Sequence, residues 1–234
     1  MLADANRVSA TRSAFHEAKH HLVYSLGRTS VVPRYVGDRA DTTGDDALSA
    51  AEALVQEYLH AETAFAAFVA SEDAMLIFPE ARRLETAFKS VHMWLRAYQD
   101  ALCGVLLALR GEKVGAYTSM SKALKPSKPL TEFLAEQLPD YEEWFRRWRA
   151  RRDEMKLGAS FRTVIDTDPP RIRGLSFVFP PRATSTEVEE GFVTLDDVIA
   201  GLDMSTRLTE LVRSTLESEA KAAAASSARR SDLR

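Results

Sequence analysis

Five residues near the start of the chain, His16-Glu17-Ala18-Lys19-His20, spell H-E-x-x-H. On a helix this spacing sets two imidazoles on successive turns. Both can then ligate one zinc ion while the glutamate acts as general base. A second pattern, Glu-x-x-His, occurs at Glu17 to His20 and again at Glu57 to His60. Helical di-iron proteins hold metal with this i, i+3 spacing. Together the patterns make His16, His20 and His60 candidate ligands of a metal-dependent helical-bundle enzyme. Their placement on helical wheels argues the other way. His16 and His20 fall to the side of the apolar face, and Lys19 adds a positive charge inside the motif. His60 falls nearly opposite the Leu54/Tyr58/Phe65 face, and His92 at the rim of the next stripe. Side chains that do not converge are expected to be solvated histidines, with no metal and no cofactor. Glu62 falls inside an apolar arc, where a buried ion pair with an arginine is the expected role.

A third constellation lies in the second half of the chain. The stretch from Tyr141 to Gly158 carries five arginines between positions 146 and 152. At helical spacing its apolar face is Tyr141, Trp144, Phe145, Trp148 and Met155. Arg152 starts from inside that face, so a carboxylate, a carbonyl or a ligand phosphate must satisfy its charge. Glu62 and Glu85 are the internal candidates. Arg146 and Arg147 point away, and Arg149 and Lys156 flank the face. A basic helix beside tryptophan rings is suited to holding phosphate and stacking a base. The candidate binding residues are Arg149, Arg152, Asp153, Lys156 and Trp148.

This helix, with the long helix before it and Ser119 to Leu124 between, resembles the motif helix of HEPN-type domains. The resemblance covers about residues 80 to 160. HEPN domains are helical bundles that often dimerise, and many are ribonucleases. Their motif is an arginine, a polar residue, a short spacer and a histidine, often with a lysine before the histidine. Arg152 matches the arginine, Asp153 the polar residue and Lys156 the lysine. Leu157 stands where the histidine would be, and no histidine occurs after His92. The resemblance therefore implies a non-catalytic relative, a homodimer that binds RNA, a nucleotide or a partner protein.

The elements that position these residues are mostly helices. Val8, Phe15, Leu22 and Leu26 predict a helix over residues 8–26. Gly27, Pro33 and Gly37 predict a long loop over 27–43. A second helix follows over 45–71, with Leu54, Tyr58, Phe65 and Val69 on its core side. The clearest element spans about 80–110, opened by Pro79 and closed by Gly111. Its apolar stripe is Leu84, Phe88, Val91, Leu95, Tyr98, Leu102, Leu106 and Leu109. Pro126, Pro129 and Pro139 bracket short helical pieces, and the arginine helix covers 140–157. Two β-rich runs, Phe161 to Ile165 and Ile172 to Phe179, predict a small hairpin at about 160–180. Thr194 is the expected cap of a last helix reaching about Ala220. The fold class expected is a mainly α helical bundle with a small β-hairpin before the last helix. Residues 1–220 form one domain in this reading, and 221–234 a flexible low-complexity tail.

Composition sets the remaining bounds. Hydrophobic residues make up 45% of 234, enough for a sizeable core, so global disorder is excluded. The net charge of −3 excludes a highly basic protein but not a local basic patch. Cys103 is the only cysteine, which fits a reducing, cytoplasmic setting. The first residues hold no apolar run, so no signal peptide is expected. The longest strongly apolar run, Ala101 to Leu109, falls well short of the ~20 residues a membrane span needs.

Overall fold

A computed structural model of the chain describes residues 2–71, 78–115, 118–156, 160–167, 170–178 and 190–231. Three long helices come first: α1 (Leu2–Leu26), α2 (Arg34–Ser71) and α3 (Phe78–Leu109). Three shorter ones follow: α4 (Met120–Ala123), α5 (Pro129–Gln137) and α6 (Tyr141–Lys156). Strands β1 (Ser160–Thr167), β2 (Pro170–Val178) and β3 (Glu190–Thr194) then lead into α7 (Leu195–Ser231).

Helices α1, α2, α3 and α7 form a four-helix bundle, and side-chain pairs fix its directions. Arg12 meets Glu52 and Lys19 meets Asp41 and Asp45, so α1 and α2 run antiparallel. Gly44 lies against Tyr98 and Gly104 against Val36, so α2 and α3 are antiparallel too. Arg7 pairs with Asp196 at 2.9 Å, and Gly201 and Thr209 meet Leu95 and Tyr98. Helix α7 therefore runs parallel to α1 and α3. The segment α4 to β3 is the crossover that returns the chain for this parallel entry. The whole apolar stripe predicted on α3 is buried.

The long loop expected over 27–43 is much shorter, because α2 already starts at Arg34. The Pro33 carbonyl accepts the first helical bonds, from the N–H groups of Val36 and Gly37. Gly44, next to the end of the predicted loop, has a packing role. A Cβ on Gly44 would lie 3.1 Å from the Lys19 side chain and from the Tyr98 ring, so glycine here lets three helices approach. Thr42 and Thr43 bond back to the carbonyls of Asp38 and Arg39, which leaves them compatible with a helix.

At its far end α3 stops as expected. Gly111 has a φ of +70°, Glu112 N–H donates to Leu107 O at 2.9 Å, and Gly111 N–H to Ala108 O at 3.0 Å. This is a Schellman motif. Thr194 caps α7 as expected. Its Oγ1 accepts from Asp197 N–H at 3.2 Å, while the Asp197 carboxylate accepts from Thr194 N–H at 2.8 Å, a reciprocal capping box. Helix α7 extends to Ser231, well past the predicted end near Ala220.

The predicted hairpin is present, and β3 adds a third antiparallel strand in the order β1-β2-β3. The run Glu190 to Thr194 is short, and two of its residues are Glu190 and Gly191, so it carries little strand signal. Its partner position demands a glycine. Gly174 has a φ of +154°, and a Cβ there would sit 2.1 Å from the Val193 carbonyl oxygen. Helix α2 pins this sheet through the backbone of one residue. Tyr58 donates to Ile172 O at 3.0 Å, and Ile172 N–H donates to Glu62 Oε1 at 2.6 Å. The buried Glu62 is thus held by backbone N–H, and the arginine expected as its partner is replaced by a strand.

Candidate functional site

The arginine helix α6 runs antiparallel to α7. Asp140 pairs with Arg207, Trp148 packs on Gly201, and Arg151 meets Asp197. Its apolar face is buried as predicted at Tyr141, Phe145 and Trp148, with Trp144 half-buried. The side chains of Met155 and Lys156, and the whole of Leu157 and Gly158, lie outside the described residues.

The five arginines fall into two groups. Arg146 pairs with Glu142 at 2.5 Å and Arg147 with Glu143 at 3.7 Å, both one turn back on an exposed face. Arg151 straps α6 to the start of α7, donating to Asp197 at 3.1 Å and to the carbonyl of Phe192 on β3. Each of these three has its own carboxylate. Arg149 and Arg152 share one: Arg149 meets Asp153 Oδ2 at 3.4 Å, and Arg152 donates to Asp153 Oδ1. Two guanidinium groups on one carboxylate leave an excess positive charge at this end of α6 among the described residues.

Arg152 itself is neither a core residue nor a free surface one. Its side chain keeps 20% of its exposure, and its Nε is buried with no hydrogen-bond partner. The internal partners expected for it are occupied elsewhere. Glu85 holds Lys89 at 2.6 Å, and Glu62 holds the Ile172 N–H. Trp148 is not a surface ring available for stacking a base. It is 3% exposed and lies over His92, with ring centroids 4.1 Å apart and planes 8° from parallel.

The buried arginine is on α3. Arg96 is 4% exposed, pairs with Asp100 one turn on, and lies 4.5 Å above the Phe145 ring centroid. Asp100 also accepts the Met120 N–H at 2.6 Å, which fixes the start of α4. His92, Arg96, Gln99 and Cys103 recur at spacings of four, three and four and are all buried. They form a second stripe on α3, beside the apolar one and facing α6. Sequence reasoning passed over it, although the spacing is visible to anyone who follows polar residues as well as apolar ones. Several polar atoms in and around this seam lack a hydrogen-bond partner among the described residues: His92 Nε2, Arg96 Nε, the Gln99 amide, Tyr141 Oη and Trp148 Nε1.

His92 was expected at the rim of its stripe but is fully buried. Its Nδ1 lies 2.9 Å from Phe88 O, and a carbonyl only accepts, so Nδ1 carries the proton of the neutral ring. Burial pushes its pKa down to about 4, against a smaller upward pull from the Phe88 carbonyl. The unfolded chain therefore binds a proton between about pH 6.5 and 4 that the folded chain refuses. Stability is full above this window and falls as pH falls through it. Urea unfolding should show a loss of about 2 kcal/mol between pH 7 and pH 5 from this group. His92→Phe, which keeps the ring stack, should remove that loss. An equal loss in the variant would exclude His92 as its source. Burial also pushes the Cys103 thiol up to about 12, so it stays protonated and is no nucleophile.

The histidine patterns do not assemble. His16 and His20 are exposed on α1 and His60 on α2, where it lies 3.9 Å from Glu57. The inward residues of the H-E-x-x-H segment are Ala18 and Lys19, the latter 7% exposed with Nζ 2.5 Å from Asp41 and 2.6 Å from Asp45. Among the described residues no three His, Cys, Asp or Glu side chains are placed to hold a metal ion.

Fold and site together define a mainly α helical bundle with a small antiparallel sheet between α6 and α7, carrying an arginine cluster at the sheet-proximal end of α6. No helix among the described residues is long and apolar enough to cross a membrane. No family model, no curated protein and no solved structure matches the chain.

Proposed function

We propose that this is a non-catalytic, HEPN-like helical protein that binds RNA through the Arg149/Arg152 end of α6. The observation that carries the reading is the shared carboxylate. Asp153 orients two guanidinium groups but can neutralise only one, so the cluster is set to accept a phosphate. The arginines at 146, 147 and 151 serve as balanced pairs and take no part. With a net charge of −3 the chain offers no general attraction to nucleic acid, so binding rests on this local cluster. Lys156, which the resemblance places in the same motif, belongs to the site by sequence. Leu157 has no group that transfers a proton, so the bound RNA is left intact.

Fluorescence anisotropy with labelled single-stranded and hairpin RNA tests this. The chain should bind at low salt and lose affinity as salt rises. Arg149→Gln with Arg152→Gln should weaken binding by on the order of tenfold. Their melting temperature should stay near that of the parent, because both pairs are partly exposed. No cleavage products should appear on long incubation. Undiminished binding by the double variant would sink the site, and cleavage lost in the Arg152→Gln variant would sink the non-catalytic reading.

A further inference from the structure

A groove of about 530 Å³ lies between the second half of α1 and the middle of α7, far along the bundle from the Arg7–Asp196 contact near the start of both helices. Its volume falls within the range of small-molecule sites. Helix α1 contributes His21 and Tyr24, at i and i+3, the turn that closes it contributes Arg28, and α7 contributes Arg213, Glu217 and Lys221, at i, i+4 and i+8. Each helix thus turns one polar stripe toward the groove.

The charges in the groove are unevenly matched. Arg213 is held by Glu210 at 2.9 Å and by Glu217 at 2.7 Å. Arg28 and Lys221 have no carboxylate partner among the described residues. Arg28 instead donates to the Tyr24 hydroxyl at 2.8 Å, with its guanidinium carbon 5.4 Å from the ring centroid. That contact fixes the direction of the guanidinium and leaves its other N–H groups open. Tyr24 is 62% exposed, the most exposed large apolar or aromatic side chain among the described residues. An aromatic ring held at the wall of a groove, beside two unmatched cations, suits a ligand with a flat ring at one end and an anion at the other. From His21 to Leu26 α1 rises about 7.5 Å, and Arg28 lies beyond in the closing turn, room for a base, a sugar and a phosphate.

We infer that this groove binds a nucleoside monophosphate, with its base against Tyr24 and its phosphate held by Arg28 and Lys221. The site is separate from the α6 cluster and does not rest on the RNA-binding reading.

Isothermal titration of the full chain with AMP, GMP, CMP and UMP, and with adenosine and inorganic phosphate, tests the proposal. At least one nucleotide should bind with a Kd below about 1 mM, and nucleoside or phosphate alone at least about tenfold more weakly. Arg28→Gln and Lys221→Gln should each weaken nucleotide binding about tenfold, and Tyr24→Leu should do the same. The loss caused by Arg28→Gln should persist in an Arg149→Gln/Arg152→Gln background, which keeps the two sites distinguishable. The proposal is overturned if no nucleotide binds, if phosphate alone binds as well as the nucleotide, or if the Arg28→Gln/Lys221→Gln double variant binds like the parent.

Discussion

Trp148→Ala should destabilise the fold by about 3–5 kcal/mol, the range for deleting a buried aromatic ring. The ring is 3% exposed and is clamped between two helices. On one side it stacks on His92 of α3. On the other it fills the space left by Gly201 of α7, where a Cβ would sit 2.4 Å from the tip of the indole and 3.1 Å from Leu95 Cδ1. Gly201 is therefore the counterpart of Trp148. In an ordinary helix interior Gly→Ala gains roughly 1 kcal/mol. Here Gly201→Ala should instead cost about 1–3 kcal/mol, because the methyl group drives the indole off its imidazole partner. The two changes should be strongly coupled. In a Trp148→Ala background the space is open, and Gly201→Ala should become neutral or stabilising. A double-mutant cycle by urea denaturation measures this directly, with an expected coupling of on the order of 1–3 kcal/mol. Additive effects would show that the ring and the glycine do not share the space.

Arg96→Ala should cost a similar amount, about 3–5 kcal/mol, for an electrostatic reason. The side chains of Arg96 and Asp100 keep 5% and 18% of their exposure, so removing the arginine strands a carboxylate in a poorly hydrated place. The stacking on Phe145 is lost as well. Arg96→Met with Asp100→Asn should recover much of the loss. Methionine keeps the packing of the stem, and the asparagine amide oxygen can still accept the Met120 N–H without a charge. Arg152→Met, by contrast, should cost less than about 1 kcal/mol, since its partner is its own neighbour and the pair remains accessible. Chemical denaturation of the three variants ranks them. If Arg152→Met proved the most damaging, the buried charge would have been placed on the wrong helix.

That contrast shows where a sequence stops being informative. An arginine in the apolar arc of α6 needs a partner, but a helical wheel gives the direction of a side chain and not what stands opposite it. Position 152 lies near the end of α6, where its carboxylate partner is its own neighbour Asp153 and the side chain keeps 20% of its exposure. Position 96 lies mid-way along α3, and α6 covers it. His92 is buried by the same covering helix. Its wheel angle is at the rim of the apolar stripe, but α6 widens the buried arc of α3 and takes in His92, Arg96, Gln99 and Cys103.

What the residues by themselves determined was local and periodic. The α3 stripe, the Gly111 stop, the Thr194 cap, the two runs of β1 and β2 and the outward histidines all follow from spacing and from short-range hydrogen bonding. What only the tertiary structure decided was which groups meet. Gly44 carries no sign of its role until α1 and α3 are seen to close on it. Strand β3 is silent until β2 offers an edge and a glycine at position 174. Glu62 takes its hydrogen bond from a strand more than a hundred residues away. The α1/α7 groove exists because two helices at opposite ends of the chain run side by side. Periodicity records the side of an element that is buried, whereas a site is a juxtaposition of elements, and that is set by packing over long sequence separations.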